Sequence, residues 1–336
     1  MKKLNWGILS TSAFAQRSFI PAAQKSSVAN VYAIASRNLD SAKAAAEKMG
    51  IPNAYGSYEE LIDDDSIDVI YNPLPNHMHV EWTAKAIRKG KHVLCEKPLF
   101  INPEDAAELI RLRDEYKVKV GEAFMVKSHP QWQKARELVE TGAMGDVSQY
   151  LGTFNYFNDD AKNIRNVDEY GGGALWDIGC YTVMTSRYIF GENPLRAISS
   201  IKRDAKFNTD ILSAVILEYP NDKKAIFTVS TQTTKYQRVH ILGTEKAVEI
   251  MIPFNAPDDR PSVVKVNPGD ILLENIEEIK IDTCNHYIKE VDDFTAAIHN
   301  DTRAPVTLED ALDHCNIIHA IFKSAKTGTW VDIPAQ

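Results

Sequence analysis

No run of about 18 or more apolar residues, the length a membrane-spanning helix needs, interrupts this chain of 336 residues. A transmembrane protein is therefore not expected. Cysteines are few. Cys95, Cys180, Cys284 and Cys315 lie far apart, without a CxxC pair, which removes a zinc ribbon or a disulfide scaffold from consideration. They read as reduced core residues. His77 and His79 are two apart but have no third ligand nearby, so no metal site is expected. A basic excess is also missing. The net charge of −8 offers no electrostatic reason to bind nucleic acid or an anionic membrane, although a phosphate can still be held locally. The opening MKKLNWGILS lacks the apolar core and cleavage site of a signal peptide, and the cytoplasm is the expected location. Repeats and low-complexity linkers are absent too.

What is present is ordinary globular material, 44% hydrophobic and 25% charged, in a chain long enough for two domains. Residues 1–123 alternate strand-like and helix-like segments. Strands are expected at Leu4–Leu9, Val28–Ser36, Ile67–Tyr71, His92–Cys95 and Val118–Glu122. Helices are expected at Phe14–Lys25 (around Pro21), Leu39–Met49, His77–Lys89 and Pro103–Tyr116. Strands without strict alternation, separated by helices, predict a doubly wound parallel sheet of the Rossmann type, with ligands at the carboxyl ends of its strands. Residues 124–336 differ. Helices at Pro130–Glu140 and Ala174–Phe190 precede β-rich runs, ILSAVILEY, KAIFTVSTQT, YQRVHIL, KAVEIMI and DILLENIEEIKI, and helices at Tyr287–His299 and Leu308–Thr327 follow. This predicts an α+β domain built on one large, mainly antiparallel open sheet, abutting the first domain across a cleft.

A dinucleotide fold turns tightly after its first strand and aims backbone amides at a pyrophosphate. The usual GxGxxG fingerprint is missing here. Gly7-Ile8-Leu9-Ser10-Thr11-Ser12-Ala13-Phe14-Ala15 has Ser10, Ser12 and Ala15 in the glycine places. Small residues still allow close approach, and two hydroxyls add donors; Ser12 can equally be a plain helix cap. The second strand ends in Ser36-Arg37-Asn38, where an NAD enzyme would carry an acidic residue for the ribose. Ser36 and Arg37 suit a 2′-phosphate instead, which favours NADP(H) over NAD(H); a solvated Arg37 is the alternative.

Glu96-Lys97-Pro98 follows the strand HVLC and so places Lys97 where ligands collect. Hydride transfer at a carbinol needs a partner for the hydroxyl proton, and a lysine in the right surroundings can serve. Several pieces then combine: the GILSTS loop, YNPLPNHMH at Tyr71–His79, EKP at Glu96–Pro98, EAFM at Glu122–Met125, HPQW at His129–Trp132 and GGGALWDIGCY at Gly171–Tyr181. In this order, over nearly the whole chain, they resemble the Gfo/Idh/MocA superfamily of oxidoreductases. The branch they look most like holds glucose–fructose oxidoreductase, NADP-dependent D-xylose dehydrogenase and dimeric dihydrodiol dehydrogenase.

The resemblance implies roles. Lys97 matches the lysine that contacts the substrate hydroxyl and the nicotinamide region, and Tyr181 the tyrosine used as acid/base. A phenol near pKa 10 needs help to lose a proton, which a charged Lys97 nearby would give. Asp177, four residues before Tyr181, would share its helical face and bind a sugar hydroxyl. Asn72, Pro73, Leu74, Asn76 and His79 match the loop along the cofactor, with Glu96 and Glu122 at strand ends and Thr11 and Phe14 in the phosphate loop. Lys127, His129, Trp132, Tyr156 and Arg165 are weaker candidates for the substrate side, with packing as the alternative. Gly171–Gly173 reads as a close turn before a helix rather than a ligand contact.

The expected activity is NADP-dependent oxidation or reduction at a hydroxyl-bearing carbon of a small cyclic sugar or polyol. The alternatives are a sugar–sugar oxidoreductase that retains its NADP and a non-catalytic NADP-sensing module; the presence of both Lys97 and Tyr181 argues against the sensor. A half-apolar sheet face would be costly in a monomer, so a homodimer or homotetramer through the C-terminal sheet is expected.

Overall fold

The computed structural model describes residues 2–334. The chain forms two compact units. One runs through Ser128 and also takes in Asn285–Leu312; the other holds His129–Cys284 and the chain from Asp313 onward. A simple division at 123/124 therefore omits a return. The His286–His299 helix goes back to the first unit, where Phe294 is fully buried and packs edge-on against Trp6 at 6.0 Å between ring centroids. Burying a ring of that size contributes about 1.5–3 kcal/mol, which explains why the helix belongs to this core.

The first unit is built on six strands: β1 (Leu4–Leu9), β2 (Ala29–Ala35), β3 (Asn53–Tyr55), β4 (Val69–Asn72), β5 (His92–Glu96) and β6 (Val120–Ala123). They lie in the order β3-β2-β1-β4-β5-β6, and every pairing is parallel. This is the doubly wound arrangement that the alternation predicts. The first helix differs from expectation. It opens as a π turn, Ala15–Phe19, and becomes α-helical at Ile20–Lys25. Pro21 follows directly on that π turn, inside the continuous helix, where it cannot donate the backbone bond of a regular turn; an irregular turn is expected just before it. Phe19 stacks on Tyr71 with ring centroids 3.4 Å apart, tying the helix to the middle of the sheet. The edge strand β3 and the short Tyr58–Ile62 helix had no sequence signal, because three half-buried residues show no period.

The second unit carries nine strands: β7 (Gln149–Phe157), β8 (Arg196–Arg203), β9 (Asp210–Glu218), β10 (Lys224–Ser230), β11 (Gln232–Leu242), β12 (Ala247–Ile250), β13 (Ser262–Asn267), β14 (Glu277–Ile281) and β15 (Val331–Asp332). Their order is β14-β13-β12-β11-β7-β10-β9-β8-β15, antiparallel throughout except for β7 beside β10. One face is core, formed by Tyr150, Phe154, Val215, Phe227 and Ile241. The run DILLENIEEIKI is not one strand. Asp270 accepts the amides of Leu272, Glu274 and Asn275, which closes a loop and leaves Ile271 92% exposed; only Glu277–Ile281 pairs. Among the described residues no helix is long and apolar enough to cross a membrane, and no three His, Cys, Asp or Glu side chains gather as metal ligands.

Candidate functional site

In the first unit the candidate residues line the carboxyl ends of the strands. Ser10 follows β1 at φ 101°, a conformation glycine adopts without strain and other residues seldom do. Its amide donates to Ala35 O at the end of β2 (3.0 Å). Ser12 Oγ accepts the Ala15 amide at 3.2 Å, so Ser12 is a helix cap. Thr11 is tied by Gln16, whose Nε2 donates to its carbonyl at 2.7 Å. Thr11, Ser12 and Phe14 are half-buried and Ala15 is buried. The turn thus sets small side chains at a helix start, as a phosphate requires. Ser36 is half-buried and Arg37 exposed, with the guanidinium beside the Tyr58 hydroxyl.

The next two loops are braced from within. Asn72 Nδ2 donates to His79 O (3.2 Å) and to Thr83 Oγ1 (3.3 Å), while its Oδ1 accepts the Leu74 amide (3.3 Å). His79 lies between two carbonyls, Nδ1 at 2.8 Å from Pro98 O and Nε2 at 2.7 Å from Leu74 O. Burial holds its imidazole pKa below the usual value. Glu122 Oε1 accepts the Leu99 amide at 2.8 Å. Asn72, His79 and Glu122 were expected along the cofactor. All three are buried; His79 and Glu122 hold the backbone at Pro98 and Leu99, just after Lys97, and Asn72 braces the Leu74–His79 loop. Pro73 and Leu74 are buried in the same loop, while Asn76, Glu96 and Lys97 remain half-exposed. The Lys97–Pro98 peptide is cis. Tyr71 donates its hydroxyl to Glu96 Oε1 at 2.6 Å, and burial followed by the Glu96 charge pushes the Tyr71 pKa well up.

In the second unit the chemistry gathers on one helix. It begins as a π turn, Leu175–Gly179, and continues as Cys180–Phe190. A π turn is wider than an α turn and recurs at functional sites, so the step from Asp177 to Tyr181 is not plain α spacing. Asp177 Oδ2 accepts the Tyr156 hydroxyl at 2.5 Å, and Oδ1 accepts Arg165 Nε at 3.0 Å. The Asp177 charge keeps the Arg165 guanidinium protonated. Burial first, and then Asp177, pushes the Tyr156 phenol far up. Tyr181 is 7% exposed, with the rings of Phe154 and Phe254 at 5.7 and 5.8 Å. Arg165 also acts electrostatically on Tyr181. The structure therefore joins Asp177, Tyr156, Arg165 and Tyr181 in one cluster.

Other candidates lie elsewhere. His129, a weaker candidate for the substrate side with packing as the alternative, is buried and caps the Pro130–Glu140 helix by accepting the Gln131 amide at 3.1 Å, with burial lowering its pKa to about 4. Trp132 is core, donating to Pro253 O at 2.8 Å. Lys127 donates to Pro305 O at 2.5 Å and fastens the returning segment. The glycine run does form the close turn. A Cβ on Gly172 would stand 2.6 Å from Arg165 O and 2.7 Å from Val167 O, so the Arg165 loop can lie against it only with glycine there.

Three residues escaped sequence reasoning. Phe154 and Phe254 flank Tyr181, yet in the sequence they are ordinary strand and loop aromatics. Glu290, on the returning helix, is buried with neither carboxyl oxygen hydrogen-bonded. Burial and the charge of Glu96 hold its pKa well above the usual carboxylate range. No local pattern marks a glutamate in a helix as buried.

Comparison with known proteins extends this picture. Residues 4–124 match the GFO_IDH_MocA model, an oxidoreductase family with an NAD-binding Rossmann fold, and residues 132–249 match the GFO/IDH/MocA C-terminal domain. The chain is 38% identical over 331 residues to an uncharacterised oxidoreductase of Rhizobium meliloti, covering 98% of this chain and 99% of that protein. It is 33% identical over 330 residues to a D-xylose 1-dehydrogenase (NADP(+)) of Haloferax volcanii, covering 98% and 99%. The crystal structure of an aldose–aldose oxidoreductase from Caulobacter crescentus superposes with a TM-score of 0.91 at 24% identity, covering 99% of this chain and 100% of that one.

Proposed function

Because the chain belongs to the GFO/IDH/MocA family of oxidoreductases, we propose that it moves a hydride between NADP(H) and a hydroxyl-bearing carbon of a small cyclic sugar or polyol. The observation that carries this reading is the Asp177 cluster. A carboxylate gripped by Tyr156 and Arg165 on the same helix as a nearly buried Tyr181 is a fixed set of groups suited to hydroxyls. The full-length similarity to an NADP-dependent D-xylose dehydrogenase supports the substrate class.

The sheet order, the Ser10–Ala15 turn and the exposed Arg37 after β2 fit a dinucleotide with a 2′-phosphate. Ser10, Thr11 and Ser12 would hold the pyrophosphate, Ser36 and Arg37 the 2′-phosphate, and the Pro73–Asn76 and Glu96–Lys97 loops the rest. When bound, that cofactor accepts or supplies the hydride. Lys97 orients the substrate hydroxyl through its ammonium. In the reducing direction Tyr181 gives its phenolic proton to the carbonyl oxygen, and in the oxidising direction its anion takes the hydroxyl proton. Asp177 accepts a neighbouring hydroxyl.

The outer face of the second unit's sheet carries Phe157, Leu212, Ile226 and Tyr236, each at least 40% exposed. A second copy of the chain covering that face would remove the cost of exposing it; light scattering of the eluted protein checks this. The cysteines are scattered along the chain without a CxxC pair, which suits the cytoplasm. The function itself is tested by following cofactor reduction with NADP or NAD and a panel of pyranoses headed by D-xylose and D-glucose. Sustained reduction, faster with NADP, is expected. Silence with every sugar and both cofactors would refute the proposal.

A further inference from the structure

Helix N-termini leave amides that need acceptors, ordinarily supplied by the side chain just before the first turn. Before the Asp177–Tyr181 helix the sequence is Gly171-Gly172-Gly173, which has no side chain to offer. Ala174 and Leu175 are nevertheless fully buried, so water cannot serve. The acceptor comes from another part of the chain. Asp210, the first residue of β9 and 1% exposed, takes the Leu175 amide on Oδ2 at 2.8 Å. Ser213 donates its hydroxyl to the same oxygen at 3.2 Å. The other oxygen fills the space above Gly173: a Cβ there would stand 2.0 Å from Oδ1. The Gly173 carbonyl in turn accepts the Asp177 amide at 3.1 Å. Gly173 and Asp210 are thus a matched pair, and their contacts lead directly to Asp177.

We infer that Asp210 is a positioning residue for the reaction: its buried carboxylate caps, from a distant strand, the turn that sets Asp177 and Tyr181. The inference rests on the functional reading above for what those two residues do. The charged and titratable groups acting with Asp210 are Arg203 from β8 and Tyr156 from β7. Burial outweighs Arg203 and the hydrogen bonds to the carboxylate, and raises the carboxyl pKa to about 6. The cap is therefore ionised at neutral pH. It takes up a proton as the pH falls through about 6 and becomes a poorer acceptor.

Hydrogen exchange of residues 173–181 and steady-state kinetics on wild type, Asp210→Ala and Asp210→Asn test this. Asparagine keeps an acceptor of the same shape but cannot titrate. With Ala, exchange of the segment is expected to speed up about tenfold or more, and kcat to fall about 10–100-fold with KM for NADP within about twofold. Asn restores most of both and removes any loss of kcat between about pH 7 and 5.5 that belongs to Asp210. Unchanged exchange in Asp210→Ala overturns the cap, and faster exchange with wild-type kcat overturns its role in the reaction. If Asp210→Ala does not fold, Ser213→Ala carries the test: faster exchange with lower kcat supports the inference, and wild-type exchange overturns it. Exchange is read without substrate, so a chain that turned over no sugar would refute the functional proposal while the cap was still decided.

Discussion

Arg165 Nε donates to Asp177 Oδ1 across 3.0 Å, and the glycine turn that precedes Asp177 is what allows the Arg165 loop to lie so close. The pair is part exposed on the arginine side, at 42%, and well covered on the aspartate side, at 13%. Arg165→Ala should therefore cost only about 1 kcal/mol of stability, measured by urea unfolding. Its effect on kcat/KM for the sugar should be larger, about 10–100-fold, because Asp177 loses the guanidinium that fixes its Oδ1. An unchanged kcat/KM would remove Asp177 and Arg165 from the account.

Lys97→Ala and Tyr181→Phe should each lower kcat by about 10²–10⁴-fold, the range for loss of a proton-handling group. NADP binding, read by fluorescence titration, should stay within a few-fold for Tyr181→Phe. A Tyr181→Phe variant with full kcat would show that the phenol handles no proton in the rate-limiting step.

Ser36→Ala combined with Arg37→Ala removes the proposed 2′-phosphate contacts. Charge-assisted hydrogen bonds contribute about 1.5–3 kcal/mol, so the ratio of NADP to NAD efficiency should fall about 10–100-fold. A ratio that does not move would place the specificity elsewhere.

Glu290 gives a pH prediction with a definite sign. Its folded pKa is raised, by burial and then by Glu96, so above the unfolded value of about 4.3 the unfolded chain binds fewer protons at this site. Wild-type stability therefore falls as the pH rises, by up to about 1.4 kcal/mol per pH unit, until the folded pKa is passed. Glu290→Gln has no proton to lose. The melting-temperature gap in favour of Glu290→Gln should widen as the pH rises above the unfolded value of about 4.3. A gap independent of pH would mean that Glu290 is ionised in the folded protein.

The sheet of the first unit was legible because hydrophobic runs and helix periods are local signals. Leu4–Leu9 and Leu39–Met49 have the bounds expected of them. Lys97, Asp177 and Tyr181 stood out through motifs. What could not be read depends on distant pairings. Asp210 reaches a helix 35 residues before it, and Asn285–Leu312 returns to a core begun at residue 4. His79 and Glu122 could be picked out by motif, but the backbone groups they hold, at Leu74, Pro98 and Leu99, are set by tertiary packing. Asp270 shows the opposite failure: an apolar run looked like a strand, and one carboxylate binding three amides made it a loop.

The central claim is direct hydride transfer from a sugar carbon, and isotope tracing tests it most directly. The protein would be mixed with NADP and perdeuterated pyranoses, and the reduced cofactor analysed by mass spectrometry. Reduced NADP carrying a single deuterium from the sugar, formed about 10²–10⁴-fold more slowly with Lys97→Ala, is the predicted result. Reduced cofactor without deuterium, or none formed from any pyranose, would contradict it.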